Sequence, residues 1–151
     1  MCKKVGWDVF QGCSALTLDA KGRVSIPTRH RDALISGNQG RLTLTRHPDG
    51  CLLVYPRSVW EERRDVIARF PISARALQRL LLGNALDVDM DASGRILVSP
   101  ELRQAAGLSK EAMLLGMGSH FELWDTAEWA RREAEDLAKG MMSDALDDFS
   151  F

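Results

Sequence analysis

Cysteine is scarce and unpaired: Cys2, Cys13 and Cys51 are odd in number and irregularly spaced, so a disulfide framework is not expected and a reducing cytoplasm is the better fit. Long apolar runs are missing too. The longest, around Leu80-Leu81-Leu82, falls far short of the roughly 20 residues a membrane span requires. The start shows no basic, apolar, small-residue signal pattern. Histidine is sparse: His47 and Cys51 lie four apart across an expected turn, and His30 and His120 complete no zinc-ligand spacing with Cys2 or Cys13. There is no glycine loop of the phosphate-cradling kind and no Gly-x-Ser-x-Gly elbow. Metal, cofactor, small-molecule substrate and enzymatic chemistry are therefore not expected.

What the sequence does contain is a repeated unit. Asp19-Ala20-Lys21-Gly22-Arg23-Val24-Ser25-Ile26-Pro27 returns as Asp91-Ala92-Ser93-Gly94-Arg95-Ile96-Leu97-Val98-Ser99-Pro100. Asp at the first place and Gly at the fourth suit a type I turn, in which the carboxylate accepts local backbone N–H bonds, so Asp19, Gly22, Asp91 and Gly94 read as turn-forming residues at two hairpin tips. Leu16 and Leu18 before the first tip, and Val24 and Ile26 after it, follow the two-residue period of half-buried strands. Leu86, Val88, Met90, Ile96 and Val98 repeat that pattern around the second. Arg23 and Arg95 then fall on the solvent side.

The rest of the chain keeps the same order of parts. Pro27 opens a short helix stopped by Ser36-Gly37-Asn38, with Arg29, His30 and Arg31 on its outer face. Strands over Arg41 to Thr45 and Cys51 to Tyr55 flank a turn at His47-Pro48-Asp49-Gly50. Ser58 and Glu61 fit a capping box, and Ser73 to Leu82 a further helix closed by Gly83. In the second copy Ser99 is a natural N-cap, Gly107 a stop, Met113 to Met117 and Phe121 to Trp124 strands, and Asp125 with Glu128 the start of a last helix. Trp60 aligns with Trp129, at core or helix-face positions where packing outweighs a base-stacking role. Trp7 or Phe10 should pack on the first strand. These parts predict an α+β fold built by pseudo-twofold pairing of a first repeat, residues 13–70, with a second, 84–138. Residues 139–151, with Asp144, Asp147 and Asp148, read as a flexible acidic tail.

Charge is nearly balanced over the whole chain, at −1, but not along it. Residues 1–75 carry 13 Lys and Arg against 7 Asp and Glu, whereas residues 76–151 carry 7 against 14. A basic half joined to an acidic half suits a polyanion-binding face opposite an acidic one; charge complementarity between subunits is the alternative. The hairpin arginines also admit two readings. Paired with Asp19 and Asp91 they merely tidy a turn, a contribution of about 0 to 1 kcal/mol when exposed. With Lys21 at the tip and Arg29 and Arg31 close behind, Arg23 can instead serve DNA, as phosphate-neutralising charge and as a two-pronged donor to a guanine edge.

Asp-x-x-Gly-Arg-x-x-x-Pro at a strand end, twice in about 150 residues and with this order of parts, resembles the MraZ family, whose halves are each of the SpoVT/AbrB type. The resemblance runs from about Gly12 to Ala138. It implies a duplicated, AbrB-type, swapped-hairpin β-barrel with flanking helices, and a nucleoid-associated bacterial transcriptional regulator. Such a protein binds repeated promoter elements at the cell-division and cell-wall gene cluster as double-stranded DNA, and assembles as a homo-oligomeric ring. The family's DNA-contacting motif falls on Asp19, Lys21, Gly22 and Arg23 and again on Asp91, Gly94 and Arg95. The second copy departs at Ser93, where the first has Lys21, and carries an extra residue before Pro100, so unequal DNA contact is expected. A protein-interaction scaffold on the same oligomeric barrel is the rival reading.

Overall fold

The structure is a computed structural model and describes residues 9–141, 145 and 147–150. The first repeat runs β1 (Cys13–Thr17), β2 (Arg23–Ser25), α1 (Thr28–Asn38), β3 (Arg41–Arg46), β4 (Leu52–Pro56) and α2 (Arg57–Ala68). A 3-10 turn (Ile72–Ala74) and α3 (Arg75–Gly83) lead on to the second. There β5 (Leu86–Asp89), β6 (Arg95–Leu97), α4 (Pro100–Ala105), β7 (Glu111–Gly116), β8 (Phe121–Asp125) and α5 (Thr126–Ala138) follow the same order. Among the described residues no helix is long and apolar enough to cross a membrane.

The repeats exchange strands. Among the described residues, within a repeat only β3 pairs with β4 and β7 with β8; β1 pairs with β7, β5 with β3, β4 with β8 and β2 with β6, all antiparallel. The six-stranded sheet is ordered β1-β7-β8-β4-β3-β5, a sequence that reads the same from either end once repeats are interchanged. Leu53 opposite Glu122, and Val24 opposite Ile96, are pairs of equivalent residues and mark the pseudo-twofold axis. The architecture is the expected duplicated, strand-exchanged α+β barrel. Its hairpins differ from expectation in one respect: the strands flanking each Asp-x-x-Gly turn do not pair with each other, because each finds its partner in the other repeat.

One core serves both repeats. Val24, Ile26, Ile96 and Val98 from the β2–β6 ribbon meet Leu42, Leu44, Leu52, Val54, Ala112, Leu114, Phe121 and Leu123 from the large sheet. A second cluster, Leu53, Tyr55, Trp60 and Ile67, lies on the other face of β4 beneath α2 and α3. All five residues of β4 are therefore buried, and strict alternation is lost there. Phe10, one of the two aromatic candidates for packing on the first strand, is buried with its ring against His30 of α1 and Phe121 of β8; the other, Trp7, and the tail residue Asp144 lie outside the described residues.

Several local expectations need correction. Pro27 is the N-cap of α1 rather than its first residue, and the helix runs through Ser36-Gly37-Asn38 to end where Gln39 turns left-handed. The capping box at Ser58 does not form: α2 begins at Arg57, and the Ser58 N–H is taken by Asn38 Oδ1 at 2.7 Å, from the end of α1. His30 is buried, edge-on to Phe10 and Phe121. Leu86, on the edge strand β5, is 39% exposed rather than half-buried in the core. No residue is inserted before Pro100: Ser99 occupies the N-cap place of Pro27, and its hydroxyl accepts the Leu102 N–H. The second-copy caps at Ser99 and Asp125 form as read.

Candidate nucleic-acid interface

Each Asp-x-x-Gly turn is closed by its own carboxylate. Asp19 Oδ1 accepts the N–H groups of Lys21 and Arg23, both at 2.9 Å, while Oδ2 accepts Arg23 Nε at 2.7 Å. Asp91 does the same for Ser93, Arg95 and Arg95 Nε, each at 2.9 Å. The backbone completes the turn with Gly22 N–H to Asp19 O at 3.0 Å and Gly94 N–H to Asp91 O at 2.9 Å. Gly22 and Gly94 stand at φ 87° and 80°, a region closed to most side chains, which is why glycine follows Asp by three. These donors, the Arg23 N–H first, hold the Asp19 carboxyl down to about 2, and Asp91 is lowered for the same reason.

The arginines are thus both ion-paired and available. Nε of Arg23 and of Arg95 is committed to a carboxylate, but among the described residues neither terminal nitrogen of either guanidinium makes a hydrogen bond. The pairing fixes the guanidinium without consuming its two-pronged end. In the β2–β6 register Arg23 lies opposite Leu97 and Ser25 opposite Arg95, so these four share the outward face of the ribbon while Val24 and Ile96 fill the core. Lys21 stands exposed at the first tip.

The remaining sequence candidates part company. Arg29 is exposed and reaches the edge strand, donating from Nη2 to Ser14 Oγ at 2.6 Å. Arg31 is half-buried, with Nε donating to Ile26 O at 2.7 Å and its guanidinium lying over Gly94, the turn glycine of the opposite repeat. Sequence reasoning missed its counterpart. Arg103 donates from Nε to Val98 O at 3.0 Å and lies over Gly22. The signal was present: the 72-residue spacing that relates Arg23 to Arg95 also relates Arg31 to Arg103. It missed Arg57 as well, whose half-buried guanidinium donates to Leu42 O and Thr43 Oγ1 and lies 3.5 Å from Asp87 and 4.0 Å from Asp89. The acidic pair ahead of the second turn is thereby partly neutralised.

Burial raises the Cys51 thiol and lowers His30 and His120, and among the described residues no three His, Cys, Asp or Glu stand together as a metal set. A family model described as "MraZ protein, putative antitoxin-like" matches the chain twice, over residues 9–82 and 81–150. The protein named Transcriptional regulator MraZ from Bordetella pertussis is 73% identical over 143 residues, which are 95% of this chain and 100% of that protein. Those of the same name from Herminiimonas arsenicoxydans and Acidovorax sp. are 62% and 61% identical over the same shares.

Proposed function

Because the chain belongs to the MraZ family, we propose that it is a non-enzymatic, DNA-binding transcriptional regulator. In this reading it binds repeated promoter elements of a cell-division and cell-wall gene cluster, in the cytoplasm at the nucleoid, as a ring-shaped homo-oligomer. The repeats that act as units are residues 13–70 and 84–138. The observation that carries the reading is the outward face of the β2–β6 ribbon. It presents Arg23, Ser25, Arg95 and Leu97 together, with Lys21 beside them at the first tip. A two-stranded ribbon fits a major groove about 12 Å wide, an arginine with free terminal nitrogens suits guanine O6 and N7, and an exposed leucine suits a thymine methyl. Lys21 and Arg29 add phosphate contact.

Fluorescence anisotropy against duplex DNA from upstream of the chain's own operon tests this. Tight binding that weakens steeply with salt, and exceeds binding to scrambled DNA at every salt concentration, is expected. Salt-insensitive or absent binding to any duplex sinks the reading in favour of the interaction scaffold. A ring offering several ribbons to successive repeats gains avidity beyond one contact. Light scattering should therefore report a large discrete species, and a monodisperse monomer at micromolar concentration removes the ring from the proposal.

A further inference from the structure

Arg31 and Arg103 do not serve the repeats in which they are encoded. Arg103 leaves α4 of the second repeat and lies across the first turn, where a Cβ added to Gly22 would meet its Cζ and Nε at 2.6 Å. Arg31 leaves α1 of the first repeat and covers the second turn, where a Cβ on Gly94 would meet its Cζ at 2.6 Å. The backbone beneath each arginine is crossed in the same sense. Val98, whose carbonyl takes Arg103 Nε, gives its own N–H to Gly22 O at 3.0 Å. Ile26, whose carbonyl takes Arg31 Nε, gives its N–H to Gly94 O at 2.8 Å.

We infer that Arg103 is a positioning residue for the Lys21–Arg23 turn and Arg31 for the Ser93–Arg95 turn, so that each ribbon tip is set by the opposite repeat. The physical case is one of order. The strands beside each turn pair with other strands rather than with each other, so beyond the single rung that closes it, Asp19 N–H to Arg23 O at 2.9 Å or Asp91 N–H to Arg95 O at 2.8 Å, the tip lacks the longer ladder that steadies an ordinary hairpin. Its glycine carbonyl is tied down by one cross-repeat N–H, and the plane of the guanidinium closes the open side of the glycine left by the absent Cβ. A donor held to within a fraction of an ångström is what a base edge rewards, and a supporting layer left loose loses that.

The consequence runs against the charge map: a residue of the acidic repeat governs the reader in the basic one. Arg103→Met keeps the stem and removes the Nε donor and planar cap; Arg103→Lys keeps the charge and removes the same donor. In the full chain both should speed amide exchange at Lys21, Gly22 and Arg23 by about tenfold or more, with Ser93, Gly94 and Arg95 unchanged. Arg31→Met should do the reverse. The DNA arm rests on the proposed function: Arg103→Met and Arg103→Lys should each cut the preference for promoter repeats over scrambled duplex at least about fivefold while leaving the salt slope of non-specific binding unchanged. Two results overturn the inference. One is faster exchange at the variant's own repeat, or at neither turn. The other is a full rescue by Arg103→Lys of both exchange and preference, which makes the charge itself the agent. If no duplex is bound at all, the exchange arm still decides the positioning roles while the DNA-binding reading fails alone. Should Arg103→Met not fold, Arg103→Lys carries both measurements.

Discussion

The two ribbon tips are the same turn in different company. Their carboxylate, amide and guanidinium bonds agree to within 0.2 Å, and each glycine lies beneath an arginine from across the axis. Their neighbourhoods diverge. The first has Lys21 at its tip and leads into α1, which carries Arg29 on its exposed surface; the second has Ser93 there, and the strand before it brings Asp87 and Asp89, held by Arg57 from the other repeat. Duplication has preserved shape and dispersed charge. Under the proposed DNA-binding reading, shape alone would make both tips readers, whereas the charge beside them would favour the first for phosphate contact.

The largest expected effect breaks this comparison directly. Arg23→Ala should nearly abolish specific DNA binding, since a bidentate base contact carries about 1 to 3 kcal/mol of discrimination and an oligomer compounds it over several sites. Arg95→Ala should leave most specific binding in place and shift stability by less than about 1 kcal/mol, because its ion pair with Asp91 is exposed. Anisotropy on matched promoter and scrambled duplexes, with a thermal melt of each variant, reads both. Equal loss for the two arginines would mean that shape rules and both tips read.

The outer helices allow a second comparison. Trp60 and Trp129 are the fourth residues of α2 and α5, yet Trp60 is 3% exposed, against Tyr55 and beneath α3, while Trp129 is half-buried on Trp124. Trp60→Ala should cost about 3 to 5 kcal/mol in chemical denaturation, as expected for a large side chain removed from a closed core. Trp129→Ala should cost less than half of that. Similar losses would show that α5 is as well covered in solution as α2.

How far all this could be read from sequence depended on the range of the interactions. The turns were legible because Asp19 and Gly22 in the first, and Asp91 and Gly94 in the second, act on residues no more than four away. So were the caps at Ser99 and Asp125, whose partners are three residues away. The Ser58 capping box failed because its amide found Asn38, 20 residues back. Strand exchange was foreseeable as pseudo-twofold pairing but not strand by strand, since alternation says which face is buried and not which strand lies beside it. Arg31 and Arg103 needed the three-dimensional crossing to be understood: counting charges by half assigned Arg31 to the first tip and passed over Arg103.

Lys21 sets a smaller and more uniform effect. Lys21→Ala should weaken binding to all duplexes alike and reduce the logarithmic salt slope by roughly one unit for each contacting subunit, without changing the preference for promoter DNA. Ser93→Lys should add a comparable increment only if the second tip approaches a phosphate. A Ser93→Lys slope identical to the parent's would place the second tip off the backbone and sharpen the asymmetry; a slope gain equal to the Lys21→Ala loss would erase it.

The smallest expected effect concerns acid stability and comes from one substitution between the repeats: His30 fills the place that Leu102 fills in the second. Both are buried, but only His30 titrates. Burial, reinforced by the neighbouring Arg29 charge, lowers its folded-state pKa below the ordinary value near 6.5, so the neutral ring is the form the core accepts. The unfolded chain then binds the proton more readily than the folded one. The stability contributed by neutral His30 is complete above that ordinary value and drains away as pH falls below it, with a slope of at most about 1.4 kcal/mol per pH unit for one proton. His120, also lowered by burial, adds to the same window, whereas Asp19, held at about 2, enters only as pH falls from about 4 toward 2. His30→Leu copies the second repeat into the first. Denaturation series between pH 7.5 and 5 should show the variant near parental stability at the upper end and a shallower decline toward the lower, the remaining slope belonging to His120. An unchanged slope would mean that the ring is protonated in the folded barrel without penalty, and that the Phe10 and Phe121 edges around it admit charge as readily as water does.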